Sequence, residues 1–459
     1  MKKVFVIGID SASLWIIREL SAKYKMEGFK EFIRNGTLTD LESTIPPLTP
    51  VAWPSIYSGT GPEKHGVTNF FKLNRDYSKE LIGYDAEKNR PFWDTISGKG
   101  IKSLVITPAM VTEISKNSNV DMITGFPLKP KFSSPKLLEA AKSAGFEGEP
   151  EIEAAIRDSS KSLEEASSEY ASSIHKRVEL AKALDMEGKY NLIFTCFTET
   201  DRMQHYSLGG NDWQKYVAPL YEEISSFIEW ILSRYGKESQ LLLVSDHGAQ
   251  PIKKKFLINE WLIKNKYAAM FSAEKSSNSN GEQMQVTSKK PVIRFICASA
   301  VDSDYEELKV RREMDMGKTA AFASLTNNPF GSIWINDSRF SRPVVANREK
   351  GKLLASLKNA LLSIKTEEGR NLVTRIYEDY LSPKGQISPD LIFEVREGYT
   401  IDISGYSDNF FSDPELARSG DHTRQGVFGA YPKLNKEYKE IKVTDLSGII
   451  SGFFNVKSA

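Results

Sequence analysis

With 459 residues, 40% of them hydrophobic and 26% charged, the chain has the composition of a globular protein with a large core, and wholesale disorder is excluded. Lys+Arg 61 against Asp+Glu 60 leaves a formal net charge of +1, which excludes general electrostatic attraction to nucleic acid or an anionic membrane as the basis of partnership. No segment approaches the apolar run of about 20 residues that a transmembrane helix requires. The two cysteines, Cys196 and Cys297, lie in separate apolar runs without a CxxC pairing, so buried free thiols and a cytoplasmic location are expected.

Val4-Phe5-Val6-Ile7-Gly8-Ile9 is too short for a signal peptide and enters Asp10 without a small-residue cleavage site, so it reads as the first strand. Asp10 is then either a carboxylate capping the helix that follows, where serine is also available as a cap, or a ligand at the carboxyl end of a parallel strand. Prolines 46, 47 and 50 deny Thr49 a place inside a helix, while Trp53 to Ser58 can start one, so Thr49 sits at a helix amino terminus. The hydroxyl there is either a simple N-cap or stands where helix N–H groups would receive a phosphoryl group. His65, before Gly66, reads as structural. Ile101 to Thr107 is another parallel strand.

Residues 129–188 turn polar and are expected to form a helical insertion, with helices over Asp158–Ala166 and Ile174–Ala181 and with His175 at the surface. Tyr190 to Thr198 is a strand running into Asp201 and His205, four apart and on one side if the chain turns helically. Trp213 to Tyr235 reads as an amphipathic helix that starts or kinks at Pro219. Gln240 to Ser245 is a buried strand that delivers Asp246 and His247 to its carboxyl end. Residues 265–345 read as a cap or insertion with an exposed loop at Ser276–Gln283. Beyond it come a helix over Leu353–Ile364, a strand over Pro389–Val395, and Gly420-Asp421-His422 before a last apolar run. The alternation of strands and helices is consistent with βαβ units.

Of five histidines, His205, His247 and His422 stand beside predicted strands and near aspartates. With Asp10, Asp201 and Asp246 they make a mixed nitrogen and oxygen set suited to two Zn²⁺ ions, Mn²⁺ being the alternative. Gly8-Ile9-Asp10, the Thr49 stretch ending Gly59-(x)2-Pro62-Glu63-Lys64-His65-Gly66, Asp201-(x)3-His205, Ser245-Asp246-His247-Gly248 and Gly420-Asp421-His422 occur in one order through nearly the whole chain. In that order they resemble the alkaline phosphatase superfamily, specifically its type I phosphodiesterase and nucleotide pyrophosphatase branch.

The resemblance implies one α/β domain over 1–459, a doubly wound and mostly parallel sheet between helices carrying cap insertions. It implies that Asp10, Thr49, Asp246 and His247 surround one zinc and that Asp201, His205 and His422 hold the other. It also implies that Thr49 attacks phosphorus to form a phospho-threonine intermediate. Asn69, one residue short of the usual spacing after His-Gly, is the position matching a phosphoryl-binding asparagine. A small phosphoester or nucleotide is the implied substrate, with no nucleic acid or membrane partner; the oligomeric state is left open. Pro50, Val51, Ala52 and Trp53, with Phe70 and Phe71, are expected to offer a diester apolar contact, and Arg202, Lys254 or Arg424 are the cations within conceivable reach. A phosphomonoesterase or a phosphoglycerate mutase-like phosphotransferase would use the same framework. A sulfatase would need Cys or Ser where Thr49 stands, and a non-catalytic binding relative would have little reason to keep the whole set.

Overall fold

The structure is a computed structural model that describes residues 3–270, 314–325, 328–377, 383–404, 410–414, 418–434 and 440–456. Cys297 and the Ser276–Gln283 stretch lie outside the described residues. The central sheet has seven strands: β1 (Lys3–Ile9), β2 (Thr37–Glu42), β3 (Ser103–Ile106), β4 (Val120–Ile123), β5 (Leu192–Phe197), β6 (Ser239–Val244) and β7 (Gln425–Tyr431). They lie in the order β2-β7-β6-β1-β5-β3-β4. β1 pairs in parallel with both β5 and β6, and β3 with both β4 and β5. β7 is antiparallel to β6 and to β2, so β2 runs in the same direction as β6.

Helices cover both faces, which is why β5 and β6 are apolar runs buried at every residue rather than alternating patterns. The main helices used below are α1 (Leu14–Lys23), α2 (Thr49–Ser58), α3 (Leu163–Asp185), α4 (Glu199–Ser207) and α5 (Trp213–Tyr235). Phe5, Ile7, Ile193 and Leu243 point into one layer with α1, α3 and α5. Val4, Val6, Phe194 and Val244 point into the other with α2 and the helices Phe92–Ser97 and Leu446–Gly452. Gly8 lets α2 approach, because a Cβ there would stand 2.7 Å from the Trp53 ring.

The helix expected from 158 begins only at Leu163 and runs on through 174–181, so the two expected helices are one, α3. Its start is set by a capping box in which Ser162 Oγ accepts from Glu165 N–H and Glu165 reaches back to Ser162 N–H. α5 runs through Pro219, since burial of Val217, Leu220, Tyr221 and Ile224 on the sheet outweighs the roughly 3 kcal/mol a helix-interior proline costs. Ser13 does not cap α1 through its side chain; its hydroxyl is tied to Ala249 instead.

A second cluster draws on residues between 256 and 411, including Phe256, Trp261, Ile333, Leu357 and Phe393. It packs a helix, Asn347–Ser363, with the four-stranded sheet Ala321–Phe322, Phe330–Ile335, Leu391–Val395 and Val373–Tyr377. Between this region and the central sheet lies the ribbon of Gly248–Pro251 against Gly420–Thr423. No described helix is long and apolar enough to cross a membrane.

Candidate active site

The sheet topology gathers the sequence-derived residues at one edge. Asp10 follows β1, Asp201 lies in the first turn of α4 after β5, and Asp246 and His247 follow β6, three adjacent parallel strands ending on the same side. Thr49 follows β2, which runs the same way, and His422 precedes antiparallel β7, so both arrive at that edge. α4 is helical across Asp201 and His205, which puts both side chains on one face with His205 Nε2 3.4 Å from Asp201 Oδ1. Gly420 lets the ribbon meet α4, since a Cβ there would stand 2.2 Å from the Gln204 carbonyl oxygen.

Asp10 does not cap α1. Its Oδ2 accepts from the Trp53 indole N–H at 2.9 Å, and its Oδ1 lies 3.5 Å from Thr49 Oγ1 and 3.6 Å from His247 Nε2. Thr49 is the first residue of α2, with Leu48 as the N-cap, and its hydroxyl faces His247 Nε2 at 3.3 Å. His247 Nε2 is also 3.1 Å from Asp246 Oδ2, while Asp246 Oδ1 accepts from Ser11 N–H. His422 Nε2 lies 3.1 Å from His205 Nε2 and 3.3 Å from Asp201 Oδ1, and its ring stacks on His247 with centroids 3.8 Å apart.

The hydrogen bonds determine the histidine tautomers. A backbone carbonyl only accepts, so His205 Nδ1–H donates to Gly420 O at 2.8 Å, His422 Nδ1–H to Pro47 O at 2.9 Å and His247 Nδ1–H to Gly248 O at 3.2 Å. Each neutral ring then directs an Nε2 lone pair inward, the second-sphere arrangement that orients metal-binding imidazoles. With the rings neutral, lone pairs converge on carboxylates with no proton between them; without a cation, Asp201 favours a proton on His205 instead. Asp201 Oδ1 and Asp246 Oδ2 are buried without a hydrogen-bond donor, which is costly unless a cation serves them. Ligand atoms of Asp201, His205 and His422 lie within 4.8 Å of one another, and so do those of Asp10, Asp201 and His247. Asp201 therefore stands between the two groups. This donor set fits two divalent cations.

Electrostatics agree. Burial pushes the Asp10 carboxyl well above the usual carboxylate range, and the neighbouring charges of Asp246 and Asp201 push it further. Asp246 is raised in the same way, by burial and then by Asp201. For Asp201 burial also acts upward, but His205 and His422 outweigh it and hold the carboxyl well below its ordinary value. Burial and the nearby His422 keep His247 neutral, whereas Asp201 overcomes burial to raise His205. Three carboxylates crowded in a dry site repel one another, and divalent charge removes that repulsion.

The sequence matches the family described as type I phosphodiesterase / nucleotide pyrophosphatase over residues 4–422. The chain belongs to this family. It is a phosphoric ester hydrolase of the alkaline phosphatase superfamily. Phosphonoacetate hydrolase from Sinorhizobium meliloti 1021, solved with phosphonoformate, shares the fold with a TM-score of 0.60 at 11% identity, over 99% of this chain and 96% of that one. Murine ectonucleotide pyrophosphatase / phosphodiesterase 5 shares it with a TM-score of 0.53 at 14% identity, over 100% of this chain and 96% of the other. No curated protein matches the chain by sequence.

For a phosphodiesterase-family site, the remaining sequence expectations divide. Asn69 is buried, its Oδ1 accepts from Phe71 N–H at 3.2 Å, and it lines a small cavity with Pro46, close in sequence to Pro47, whose carbonyl holds His422. Val51, Ala52 and Trp53 do not offer apolar surface to a substrate, because α2 is buried along its whole length between the sheet and the helix Leu446–Gly452. Phe70 packs against Phe126 and Met110. The three distant cations are each held by acidic groups: Arg202 by Glu149 and Glu153, Lys254 by Asp413 and Glu367, and Arg424 by Glu42. His175 is at the surface beside Glu223.

Sequence reasoning missed the role of Trp53 as a donor to Asp10, and it missed a buried charge network behind α4. There Arg177 pairs with Glu199 at 2.7 Å and donates to the Cys196 carbonyl at the end of β5, and Arg202 pairs with Glu149 at 2.6 Å. Nothing in the sequence singled these residues out, because α3 and α4 are rich in charged and polar side chains along their length. Cys196 is a buried free thiol.

Proposed function

We propose that the protein hydrolyses phosphodiesters or the phosphoanhydride links of nucleotides through a phospho-threonine intermediate at a two-zinc site. The observation that carries this reading is the convergence of Thr49 Oγ1, the inward Nε2 atoms of His205, His247 and His422, and three buried carboxylates at one sheet edge. Asp10, Asp246, His247 and Thr49 would hold one ion and Asp201, His205 and His422 the other, with the Asp201 carboxylate between them. Three imidazoles with carboxylates favour Zn²⁺ over Mg²⁺ or Ca²⁺. Bound there, zinc supplies Lewis acidity that makes an alcohol or water oxygen nucleophilic near neutral pH and stabilises charge on the departing oxygen.

The chain's own groups do the positioning. Thr49 is at the amino end of α2, where helix N–H groups and the dipole favour a phosphoryl group. Its hydroxyl is aimed by Asp10 and His247, and attack by Oγ1 forms the bond to phosphorus as the bond to the leaving alcohol or phosphate breaks. Water attacking the same phosphorus then releases Thr49 and the monoester product. Asn69 supplies an amide for a phosphoryl oxygen.

A diester carries one negative charge, whereas a monoester brings nearly two and favours extra cations. The commitment of Arg202, Lys254 and Arg424 to acidic partners supports the diester. With zinc-replete protein, kcat/KM for a p-nitrophenyl nucleotide ester should exceed that for p-nitrophenyl phosphate by at least about tenfold, roughly 1.4 kcal/mol of transition-state discrimination. Phosphonoacetate belongs in the same panel because one protein of like fold hydrolyses it. A monoester preference would turn the assignment to phosphatase.

A further inference from the structure

The loop Gly66–Phe70, which carries Asn69, is gripped from two sides. On the sheet side the grip is a chain of hydrogen bonds with every direction determined. Val67 N–H donates to His65 Nδ1 at 3.1 Å, so the ring proton is on Nε2 and is donated to Ser55 Oγ at 2.9 Å; Ser55 in turn donates to Val51 O at 2.9 Å. Val51 is in the first turn of α2, two residues from Thr49, so His65 locks the loop to the nucleophile's helix.

The other grip comes from a segment more than 300 residues away in sequence. Gln386 Nε2–H donates to Gly66 O at 2.6 Å, and its Oε1 accepts from Thr68 Oγ1 at 3.4 Å. Both bonds are satisfied by only one orientation of the amide, since a carbonyl cannot donate. Gln386 shares with Asn69, Thr68 and Pro46 the walls of one small cavity. It lies just before the strand Leu391–Val395 of the second cluster and bridges that cluster to the loop.

We propose that Gln386 is a positioning residue for the phosphoryl-binding loop, setting where Asn69 stands relative to Thr49 while His65 holds the loop's other side. This rests on the reading of Asn69 as a phosphoryl ligand. A bridge of two hydrogen bonds from a partly exposed side chain adds little to global stability, yet a small displacement of a substrate-holding amide lowers transition-state binding. The part of the chain least legible by pattern thereby reaches the chemistry.

A double-mutant cycle tests it with zinc-replete full chain and a p-nitrophenyl nucleotide ester. N69A should lower kcat/KM at least about tenfold, and Q386A about fivefold with Tm within about 2 °C of wild type. In the N69A background, Q386A should cost nothing more, because the residue acts only through Asn69. Q386E, which keeps the acceptor for Thr68 but turns a carboxylate toward the Gly66 carbonyl, should be slower than Q386A. The same fivefold factor in both backgrounds, or wild-type rates in Q386A or Q386E, overturns the proposal. Wild-type rates in N69A overturn instead the reading of Asn69 beneath it.

Discussion

Trp53→Phe isolates one hydrogen bond at the site. The indole N–H donates to Asp10 Oδ2 at 2.9 Å in a fully buried setting, while the ring lies over Gly8 and stacks on Tyr57 with centroids 5.8 Å apart. Phenylalanine keeps an aromatic ring in that layer and removes the donor. In metal-free protein the Asp10 carboxyl is pushed toward its neutral form by burial and by Asp246 and Asp201, so the charge-assisted bond belongs mainly to the metal-bound state. Such a bond is worth about 1.5–3 kcal/mol, which corresponds to a loss of roughly 10- to 150-fold in affinity for the ion at Asp10, Asp246 and His247. Competitive titration of zinc against a chromogenic chelator resolves the two affinities. One should weaken by that factor, while the Asp201, His205 and His422 site changes by less than about threefold, and excess zinc should restore much of the activity. Equal weakening of both sites, or unchanged affinities, would refute the assignment of Trp53 as the orienting donor for a metal-bound Asp10.

Thr49→Ala should abolish turnover and leave about two zinc ions per chain, with Thr49→Ser partly active; near-wild-type rates in the alanine variant would replace the covalent route by direct attack of water. His422→Ala removes one of the three side chains, Asp201, His205 and His422, proposed to hold one ion and should weaken that site most, with a smaller effect on its neighbour through the lost stacking on His247, read in the same chelator titration. His65 is pushed down to about 4 by burial, below its ordinary 6.5, so the unfolded chain binds the proton first as pH falls. The stability it contributes is complete above about pH 6.5 and is lost as pH falls toward 4, on the order of 3 kcal/mol. Denaturant unfolding of wild type and His65→Gln should therefore show the wild-type advantage shrinking across that window, and parallel curves would contradict it.

The strands that lead into the candidate metal-binding residues were legible because their signal is local. Leu192–Phe197 and Ser239–Val244 are short apolar runs that end at polar residues, and a core strand buried on both faces has that pattern whatever surrounds it. The i, i+4 spacing of Asp201 and His205 could likewise be read as one helix face before any fold was known. The prolines around Thr49 placed it at a helix start for reasons confined to a few residues. The order of these motifs along the chain sufficed for the family.

Long-range pairing decided the rest. That Gln425–Tyr431 inserts antiparallel between β2 and β6, bringing His422 to the same edge as Asp10, depends on partners hundreds of residues apart, and periodicity carries no information about such pairing. The apolar residues after Thr49 read as substrate contacts, and only the fold shows the sheet and the helix Leu446–Gly452 covering them. Trp53 became a hydrogen-bond donor, Asp201 a carboxylate between two groups, and Gln386 a neighbour of Asn69 only once the chain had folded. A side chain's chemical type is written in the sequence, but its partner within 3 Å is chosen by tertiary packing.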